Sequence, residues 1–327
     1  MQMKLAVTSY SYNLSYMKYK MDIYDCMKAA HDLGVEGFEI VSELTPAGHH
    51  PSYTEAELDK WHENLNKYKL KATCYDSCYI PISYRNRINC YEEQMRELEA
   101  EFKLASKMGF SVMRLYPAID IGIIAETFAM ADYYGVAPCI EIHVPMTIRS
   151  RSVEGYINLI EKKGSKLAGI IPDFGVYGIT PDPTLVPFVL HDGVSQALVD
   201  DIYKAYAAGQ MKQVVAEYKG KDIPESLRAF IERSASLAND NPEDMKLYGK
   251  YIRHVHAKFY HVDDNLRDTS IDTENAMRVL REIGYTGYVA SEYEGQRDYS
   301  MQGYSNLPDP DEIEQVARHI TMLRPML

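Results

Sequence analysis

The chain has 327 residues, of which 46% are hydrophobic and 25% are charged, and it carries a formal net charge of −12. This composition is ordinary for a soluble globular protein, and the length allows one or two domains. An acidic chain without a Lys/Arg cluster is not expected to bind nucleic acid. The opening residues MQMKLAVTSYSYN do not resemble a signal peptide. The sequence contains no stretch of about 18 apolar residues, so we predict no membrane span.

The five cysteines form an odd set without a paired framework. Such usage is typical of reduced thiols in a cytosol, so we predict a cytoplasmic location. Cys74 and Cys78 are the only close pair in the sequence. Because no second pair accompanies them, a zinc site built on these two thiols is not expected.

Short apolar runs alternate with longer amphipathic segments along the chain. The apolar runs predict eight strands: Lys4–Tyr12, Gly37–Leu44, Lys71–Ile80, Ser111–Ala118, Ala137–His143, Ala168–Gly175, Ile252–Tyr260 and Gly287–Gly295. The amphipathic segments predict helices that include Asp22–Leu33, Glu55–Leu70, Glu92–Met108, Gly122–Tyr134 and Asn275–Ile283. Several of these helices end at a glycine, which tolerates the left-handed conformation that a helix end often needs.

Strands that alternate with helices indicate a parallel sheet of the α/β class, and eight such units predict a (β/α)8 TIM barrel. We treat residues 1–327 as one barrel domain. A doubly wound sheet is the alternative, but no Gly-rich phosphate loop follows the first strand. One connection is unusually long, because the 80 residues 174–253 separate Asp173 from His254. We expect residues 176–250 to form an insertion on the active face that serves as a lid, a substrate wall or a partner platform.

In such a barrel the functional side chains cluster at the carboxyl ends of the strands. The last four predicted strands carry polar groups there: Glu141-Ile-His143, Asp173-Phe-Gly175, His254-Val-His256-Ala-Lys258 and Glu292-Tyr-Glu294. Because strand side chains alternate with a period of two, the polar members of each group share a face. Two glutamates, an aspartate and a histidine form an oxygen-rich set. This set predicts one divalent metal ion, Mn²⁺ first, with Mg²⁺, Co²⁺ or Zn²⁺ as alternatives.

The order Glu141, Asp173, His256 and Glu292 resembles that of the xylose-isomerase-like barrel superfamily, which contains sugar isomerases, ketose 3-epimerases and metal-dependent nucleases. The resemblance implies that these four residues hold one metal ion, with His254 deeper in the barrel. Nucleases of this group bind three zinc ions with many more histidine ligands, whereas several of the ten histidines of this chain lie in predicted helices or remote loops.

Ketose 3-epimerases usually carry a histidine three residues after the aspartate and an arginine six residues after the strand-seven histidine. This chain has Val176 and Val262 at those positions. A simple ketose 3-epimerase is therefore not the preferred interpretation.

A narrower resemblance rests on four motifs: Glu-Ile-His143, Pro-Asp173-Phe-Gly, His256-Ala-Lys-Phe-Tyr and Ser-Glu292-Tyr-Glu-Gly-Gln-Arg297. They are similar to motifs of the large, alpha subunit of bacterial C-glycoside deglycosidases. This resemblance implies a lyase that acts on C-glycosides already oxidised to a 3-keto sugar, and a small beta subunit as partner in a hetero-oligomer. The alternative is a divalent-metal sugar isomerase or 3-epimerase that works through an enediolate.

Both interpretations need a base that removes a proton from the carbon next to a carbonyl group. His143 is the candidate base, because it shares a face with Glu141 and is not needed as a metal ligand. Together with Glu141 and Glu292 it forms the predicted catalytic set. In the lyase, the enolate then expels the aromatic substituent by β-elimination.

The predicted substrate-binding residues follow strands seven and eight: Lys258, Tyr260, Glu294 and Arg297. Lys258 either steadies a developing oxyanion or forms a structural pair with Glu294. Arg297 either contacts sugar hydroxyl groups or pairs with Glu294.

Overall fold

Eight short segments form strands, and in β2, β5 and β7 every residue is buried, as central strands of a parallel sheet require. The computed structural model describes residues 2–42, 53–82, 84–116, 118–296, 304 and 306–327. The strands are β1 (Lys4–Thr8), β2 (Gly37–Val41), β3 (Lys71–Asp76), β4 (Val112–Leu115), β5 (Ala137–Ile142), β6 (Gly169–Pro172), β7 (Val255–Phe259) and β8 (Tyr288–Tyr293). Each ends earlier than predicted. After β1 and β6, for example, the chain turns at once into 3-10 helices at Ser9–Tyr12 and Phe174–Tyr177.

Fourteen α-helices occur within the described residues. They are α1 (Asn13–Met17), α2 (Ile23–Asp32), α3 (Glu55–Tyr68), α4 (Tyr91–Met108), α5 (Ile121–Glu126), α6 (Phe128–Tyr134), α7 (Arg151–Lys163), α8 (Val186–His191), α9 (Gln196–Ala207), α10 (Met211–Tyr218), α11 (Glu225–Ser236), α12 (Met245–Tyr248), α13 (Thr273–Glu282) and α14 (Glu312–Leu323). The helix predicted at 122–134 is two helices, interrupted at Thr127. No helix in this part of the chain is long and apolar enough to cross a membrane.

Local sequence signals set many of the helix ends. Asp22 and Thr54 cap the first turns of α2 and α3, each in a reciprocal capping box with the residue three positions later. Gly109 and Gly135 have φ values of 88° and 70° where α4 and α6 end. These positive values confirm the prediction that glycine ends these helices, since other residues are strained in this region.

The eight strands form one parallel sheet in the order β6-β5-β4-β3-β2-β1-β8-β7. The two end strands approach each other through isolated parallel bridges, Ile170 with Ile252 and Asp173 with His256. The sheet is therefore a nearly closed barrel surrounded by helices, which confirms the predicted TIM-barrel fold. The last bridge also brings the carboxyl ends of β6 and β7 together, where the predicted metal ligands lie.

The long connection between β6 and β7 contains α8 to α12. Helices α8 to α11 pack around an apolar cluster of their own, which includes Val189, Ile202 and Phe230. This group contacts the segment before α14, where the Tyr304 hydroxyl donates a hydrogen bond of 2.7 Å to Asp192 Oδ2. We refer to residues 176–250 as the insertion.

Candidate active site

The predicted ligand residues lie together at the carboxyl ends of β5 to β8. One donor atom from each of Glu141, Asp173, His256 and Glu292 falls within 4.8 Å of the others. His256 Nδ1 is 2.8 Å from Glu141 Oε1 and 3.7 Å from Glu292 Oε2. Strand register produces this arrangement, because Asp173 bridges to His256 and Lys258 pairs with Glu292 on the neighbouring strand. We refer to these four ligand-type residues as the acidic cluster.

The acidic cluster is buried. Glu141, Asp173, His256 and Glu292 are exposed by 1%, 0%, 0% and 6%. Within the described residues, the buried Oε2 atom of Glu292 accepts no hydrogen bond. An unpartnered carboxylate oxygen in such a place is costly unless a cation compensates it. Three carboxylates and one imidazole therefore fit a divalent ion that prefers oxygen ligands.

Burial and neighbouring charges shift the pKa values of three residues of the acidic cluster. Burial raises the pKa of Glu292 well above its ordinary value, against the opposing effects of Lys258 and His256. Burial acts on Glu141 in the same sense, but Arg114 and His256 hold its pKa well below the ordinary value. Burial lowers the pKa of His256, yet the surrounding carboxylates outweigh it and raise that pKa well above normal. A divalent cation would supply the charge that these groups otherwise obtain from protons.

The other side of the His256 ring contacts Glu39 on β2. His256 Nε2 is 3.3 Å from Glu39 Oε1, and His254 Nε2 is 2.5 Å from Glu39 Oε2. A histidine ligand commonly has its second nitrogen held by a carboxylate, which fixes the ring orientation. His254 thus lies on the inner side of His256. Sequence reasoning missed Glu39, although a glutamate inside the apolar run GFEIV was a usable signal.

Arg114 on β4 is a second residue that sequence reasoning missed. Its Nε and Nη2 atoms are 2.8 and 2.6 Å from Glu141 Oε2, while Glu141 Oε1 faces His256. The guanidinium carbon lies 5.2 Å from the centre of the Tyr116 ring. Each oxygen of Glu141 therefore has a defined partner, and the carboxylate is held in one orientation.

Asp76, the last residue of β3, also borders this region. Its Oδ1 atom is 3.9 Å from His256 Nε2. Burial, together with the charge of Glu39, raises the pKa of Asp76 to about 7. The same strand-end rule that found the acidic cluster would have found Asp76 and Arg114, had it been applied to the first four strands as well.

His143 follows the last residue of β5 and lines a cavity next to the acidic cluster. Its Nδ1 atom lies 2.7 Å from the Val144 carbonyl oxygen, which accepts only, so Nδ1 carries the proton in this hydrogen bond. Its Nε2 atom lies 3.8 Å from Asp173 Oδ2, and the side chain is 38% exposed. The Nε2 atom therefore faces the acidic cluster from the open side.

Lys258 is almost completely buried between the acidic cluster and the rim. Its Nζ atom is 2.6 Å from Asp173 Oδ2 and 3.3 Å from Glu294 Oε2. Burial lowers its pKa, but the neighbouring carboxylates outweigh that effect and raise it well above the ordinary value. The carboxylates of Asp173 and Glu294 thus favour the charged ammonium group, and the contact with Glu294 is compatible with both roles considered for Lys258.

A cavity opens above these groups. It has a volume of about 450 Å³, and its walls include Asp76, Arg114, Tyr116 and Glu292. We refer to it as the cluster chamber. The predicted substrate-binding residues Lys258 and Glu294 also line it, while Tyr260 lines an adjoining cavity. Arg297 lies outside the described residues.

The fold and the whole sequence place this chain in a known group. A family model for the xylose isomerase-like TIM barrel matches residues 27–324. The chain belongs to the xylose isomerase-like TIM barrel family.

Two relatives are similar to this chain over most of its length. The 3'-dehydrocarminate deglycosidase alpha subunit of a Microbacterium species is 23% identical over 311 residues, covering 89% of this chain and 88% of that protein. A C-glycoside deglycosidase alpha subunit of Arthrobacter globiformis is 24% identical over 324 residues, covering 94% and 86%.

Solved structures of other proteins share the barrel fold at low sequence identity. The D-allulose 3-epimerase from Methylomonas sp. superposes with a TM-score of 0.58 at 11% identity, covering 100% of this chain and 98% of the other. The IOLI protein with a bound zinc atom gives a TM-score of 0.59 at 13% identity, covering 99% and 98%. At these identities the likeness concerns the fold alone. The relatives and the structural neighbours are sugar-processing enzymes.

Proposed function

We propose that this chain is the catalytic subunit of a metal-dependent carbon–carbon lyase that cleaves 3-keto C-glycosides. The observation that carries the proposal is the position of His143, whose Nε2 atom faces the acidic cluster from the cavity side. The proposal takes His143 as the base, beside the residues that would hold a cation but not one of them. The similarity along most of the chain to deglycosidase alpha subunits supports the same assignment.

Glu141, Asp173, His256 and Glu292 would hold the cation. A divalent ion there supplies Lewis-acid stabilisation of the negative charge that develops on the sugar carbonyl oxygen. Glu39 and Arg114 keep His256 and Glu141 in their orientations. The oxygen-rich donor set favours Mn²⁺, with Mg²⁺, Co²⁺ and Zn²⁺ as alternatives.

His143 Nε2 removes the proton from sugar carbon 2, next to the carbonyl at carbon 3. The Val144 carbonyl holds the Nδ1 proton and so stabilises the imidazolium that forms. The electron pair of the C2–H bond becomes the C1=C2 double bond, and the bond between C1 and the aglycone carbon breaks. The aglycone leaves with the electron pair of the broken C1–aglycone bond. Its carbon then takes up one proton, which the imidazolium returns.

Lys258 acts as a fixed positive charge beside these steps. Its ammonium group contacts Asp173 and Glu294 and lines the cluster chamber. A buried donor that is charged before the reaction needs no reorganisation when an oxyanion develops. We propose that it stabilises the sugar oxyanion and that Glu294 and Tyr260 contact sugar hydroxyl groups.

A small second subunit is part of the proposal, because the named relatives are alpha subunits. The alternative function is a 3-epimerase or isomerase. It is favoured by Glu292, whose raised pKa would let it carry a proton beside the substrate cavity that it lines.

The deciding experiment measures products from a 3-keto C-glucoside. Chelator-treated protein is assayed alone, with Mn²⁺, and with Mn²⁺ plus the small subunit from the same genome. We expect equimolar free aglycone and unsaturated 3-keto sugar, and only when the cation is present. A protein that interconverts free ketoses but leaves keto C-glycosides intact would be the epimerase instead.

A further inference from the structure

Two cavities meet at the proposed base. The cluster chamber and a second cavity share His143, Lys258 and Glu294 as a common wall. The second cavity has a volume of about 200 Å³, and the insertion closes its far side with Arg233 and Leu237 at the end of α11. We refer to it as the helix chamber.

The volumes suggest one ligand that spans both chambers. Sites for small molecules usually measure about 300–1,000 Å³. The helix chamber, at about 200 Å³, is too small by itself, whereas it falls within that range when joined to the cluster chamber of about 450 Å³. A free ketose bound at the acidic cluster would leave the helix chamber unused. A glycoside has a second part that would enter it.

The chemistry of the leaving group defines what that second part must be. A ring carbon can depart with the bonding electrons only if hydroxyl groups on the ring make it electron-rich and able to accept a proton. Such a ring has two flat apolar faces and a polar edge. Its binding site therefore needs apolar walls together with hydrogen-bonding side chains.

The helix chamber offers both. Val144 and Leu237 provide apolar surface, while Asp182, Arg233 and Tyr260 provide hydrogen-bonding groups. An arginine can also stack on an aromatic ring. The Arg233 side chain is 52% exposed, and its Nη1 lies at 3.9 Å from Asp182 Oδ2, so this loose contact leaves the guanidinium able to turn toward a ligand.

A third cavity on the other side of His143 is less suitable. It has a volume of about 290 Å³ and is lined by Pro145 and Met146 together with Arg114 and Glu141. Arg114 and Glu141 already bind each other, which leaves Tyr116 and His143 as the other polar residues of its lining. The helix chamber offers a hydroxylated ring more hydrogen-bonding side chains, since Asp182, Arg233 and Tyr260 all line it.

We infer that the helix chamber is the subsite for the hydroxylated aromatic aglycone, while the sugar occupies the cluster chamber. This inference rests on the proposed function and makes the insertion a wall of the substrate site. Leu237 is then a residue that determines aglycone size, because it forms the end of the helix chamber and packs over Gly178, where an added Cβ would lie 3.1 Å from its Cδ2 atom.

Substitutions that fill one cavity at a time test the inference. Leu237→Trp narrows the helix chamber, Leu237→Ala widens it, and Met146→Trp fills the third cavity. Leu247→Trp is the matched control, because Leu247 is 50% exposed on α12 and lines none of the three. The substrates are two 3-keto C-glucosides, one with a single phenol ring and one with a three-ring polyphenol. Calorimetric titration of the free three-ring aglycone gives a readout that does not depend on turnover.

We expect Leu237→Trp to lower kcat/KM for the three-ring substrate at least tenfold more than for the single-ring substrate, and to abolish binding of the free aglycone. Leu237→Ala and Leu247→Trp should keep that binding. Equal effects on both substrates, or a selectivity change in Met146→Trp instead, would overturn the inference. If the wild-type protein cleaves neither substrate, the proposed function fails, and the aglycone titration alone then decides whether the subsite exists.

Discussion

At the scale of single residues, His143 differs from the members of the acidic cluster. It follows β5 directly, its side chain is 38% exposed, and its Nδ1 proton is engaged by the Val144 carbonyl. The four cluster residues are buried and face one another. A base that must meet substrate needs such an open position, whereas ligands for a cation need the dry one.

His143→Phe should therefore abolish proton removal and leave the cation site intact. We expect kcat for the keto C-glycoside to fall by roughly 100- to 10,000-fold, which is the usual contribution of a general base. Metal content should stay unchanged. His261→Phe is the control, since His261 is exposed on the same barrel end. Near-normal turnover in His143→Phe would remove His143 as the base.

Arg114 is expected to set the pH range of cation binding. It holds the pKa of Glu141 low against the effect of burial. In Arg114→Gln this pKa rises, so protons compete with the cation up to higher pH. We expect affinity for Mn²⁺ at pH 7 to fall roughly 10- to 100-fold and the pH midpoint of binding to move upward. Calorimetric titration at several pH values measures both.

The control for Arg114 is Arg87→Gln, which removes a surface ion pair with Glu93. That variant should bind Mn²⁺ as the wild type does. An Arg114→Gln protein with an unchanged pH midpoint would show that Arg114 does not act through Glu141.

At the scale of secondary-structure elements, the turn after β6 positions both Asp173 and Lys258. The Gly175 amide donates a hydrogen bond of 2.6 Å to Asp173 Oδ1. A Cβ atom at Gly175 would lie 3.0 Å from Asp173 Oδ1 and 3.0 Å from Lys258 Cδ. The turn therefore brings the backbone so close to these side chains that a Cβ atom fits only if they shift slightly.

Gly175→Ala should shift Asp173 and Lys258 by a few tenths of an ångström. We expect activity to fall at least tenfold, because small misplacements in an active site are costly, while the free energy of unfolding changes little. Gly155→Ala is the control, since a Cβ there meets only the end of Ile121 at 3.1 Å. Unchanged kinetics in Gly175→Ala would contradict this account of the turn.

The role of the insertion is a question that the sequence left open. Its length indicated an addition on the active face, but the lid, substrate wall and partner platform were equally compatible with it. The side chains at the end of α11 line a cavity with His143, which supports the substrate wall. The residues that share this cavity are about 90 positions apart, and no local pattern encodes such a distance. We propose that the insertion belongs to the same domain as the barrel.

At the scale of the whole molecule, α14 packs on the barrel through a buried histidine. His319 is fully buried, stacks on Phe259 at 3.9 Å and has Nδ1 at 2.8 Å from Ser291 Oγ. Burial lowers its pKa to about 3. In the unfolded chain its pKa is about 6.5. Between these values the unfolded state binds the extra proton, so stability falls as the pH decreases.

Because of His319, the free energy of unfolding should therefore fall by about 1.4 kcal/mol for each pH unit below pH 6.5. His319→Gln lacks this contribution, so its free energy of unfolding should fall less steeply between pH 6.5 and pH 4, although it starts lower. Urea unfolding at several pH values measures the slopes. His261→Gln, at an exposed position, should keep the wild-type slope. Equal slopes for wild type and His319→Gln would contradict the prediction.

Cation binding should also appear in global stability. A ligand that binds only the folded state stabilises it by about 2.7 kcal/mol at 100 times its Kd. We expect chelator-treated protein to gain this amount on addition of Mn²⁺, and His256→Ala to gain almost nothing. His62→Ala should behave as the wild type does. A stabilisation that survives in His256→Ala would remove His256 from the ligand set.

The barrel fold and candidate ligand residues could be predicted from local sequence patterns. Alternating apolar runs and amphipathic segments predict parallel βαβ units, and polar residues at the ends of the last four strands predict acidic and imidazole groups at one end of the barrel. The choice of Glu141, Asp173, His256 and Glu292 as the ligand set came from the family resemblance. The tertiary structure added that Glu39 contacts His256, that Arg114 holds Glu141 and that the insertion lines a cavity with His143. The contact between Glu39 on β2 and His256 on β7 depends on barrel closure, the Arg114–Glu141 pair depends on the pairing of β4 with β5, and the shared cavity depends on how the insertion folds back. None of these leaves a mark in the local sequence pattern, because each joins residues that are distant along the chain.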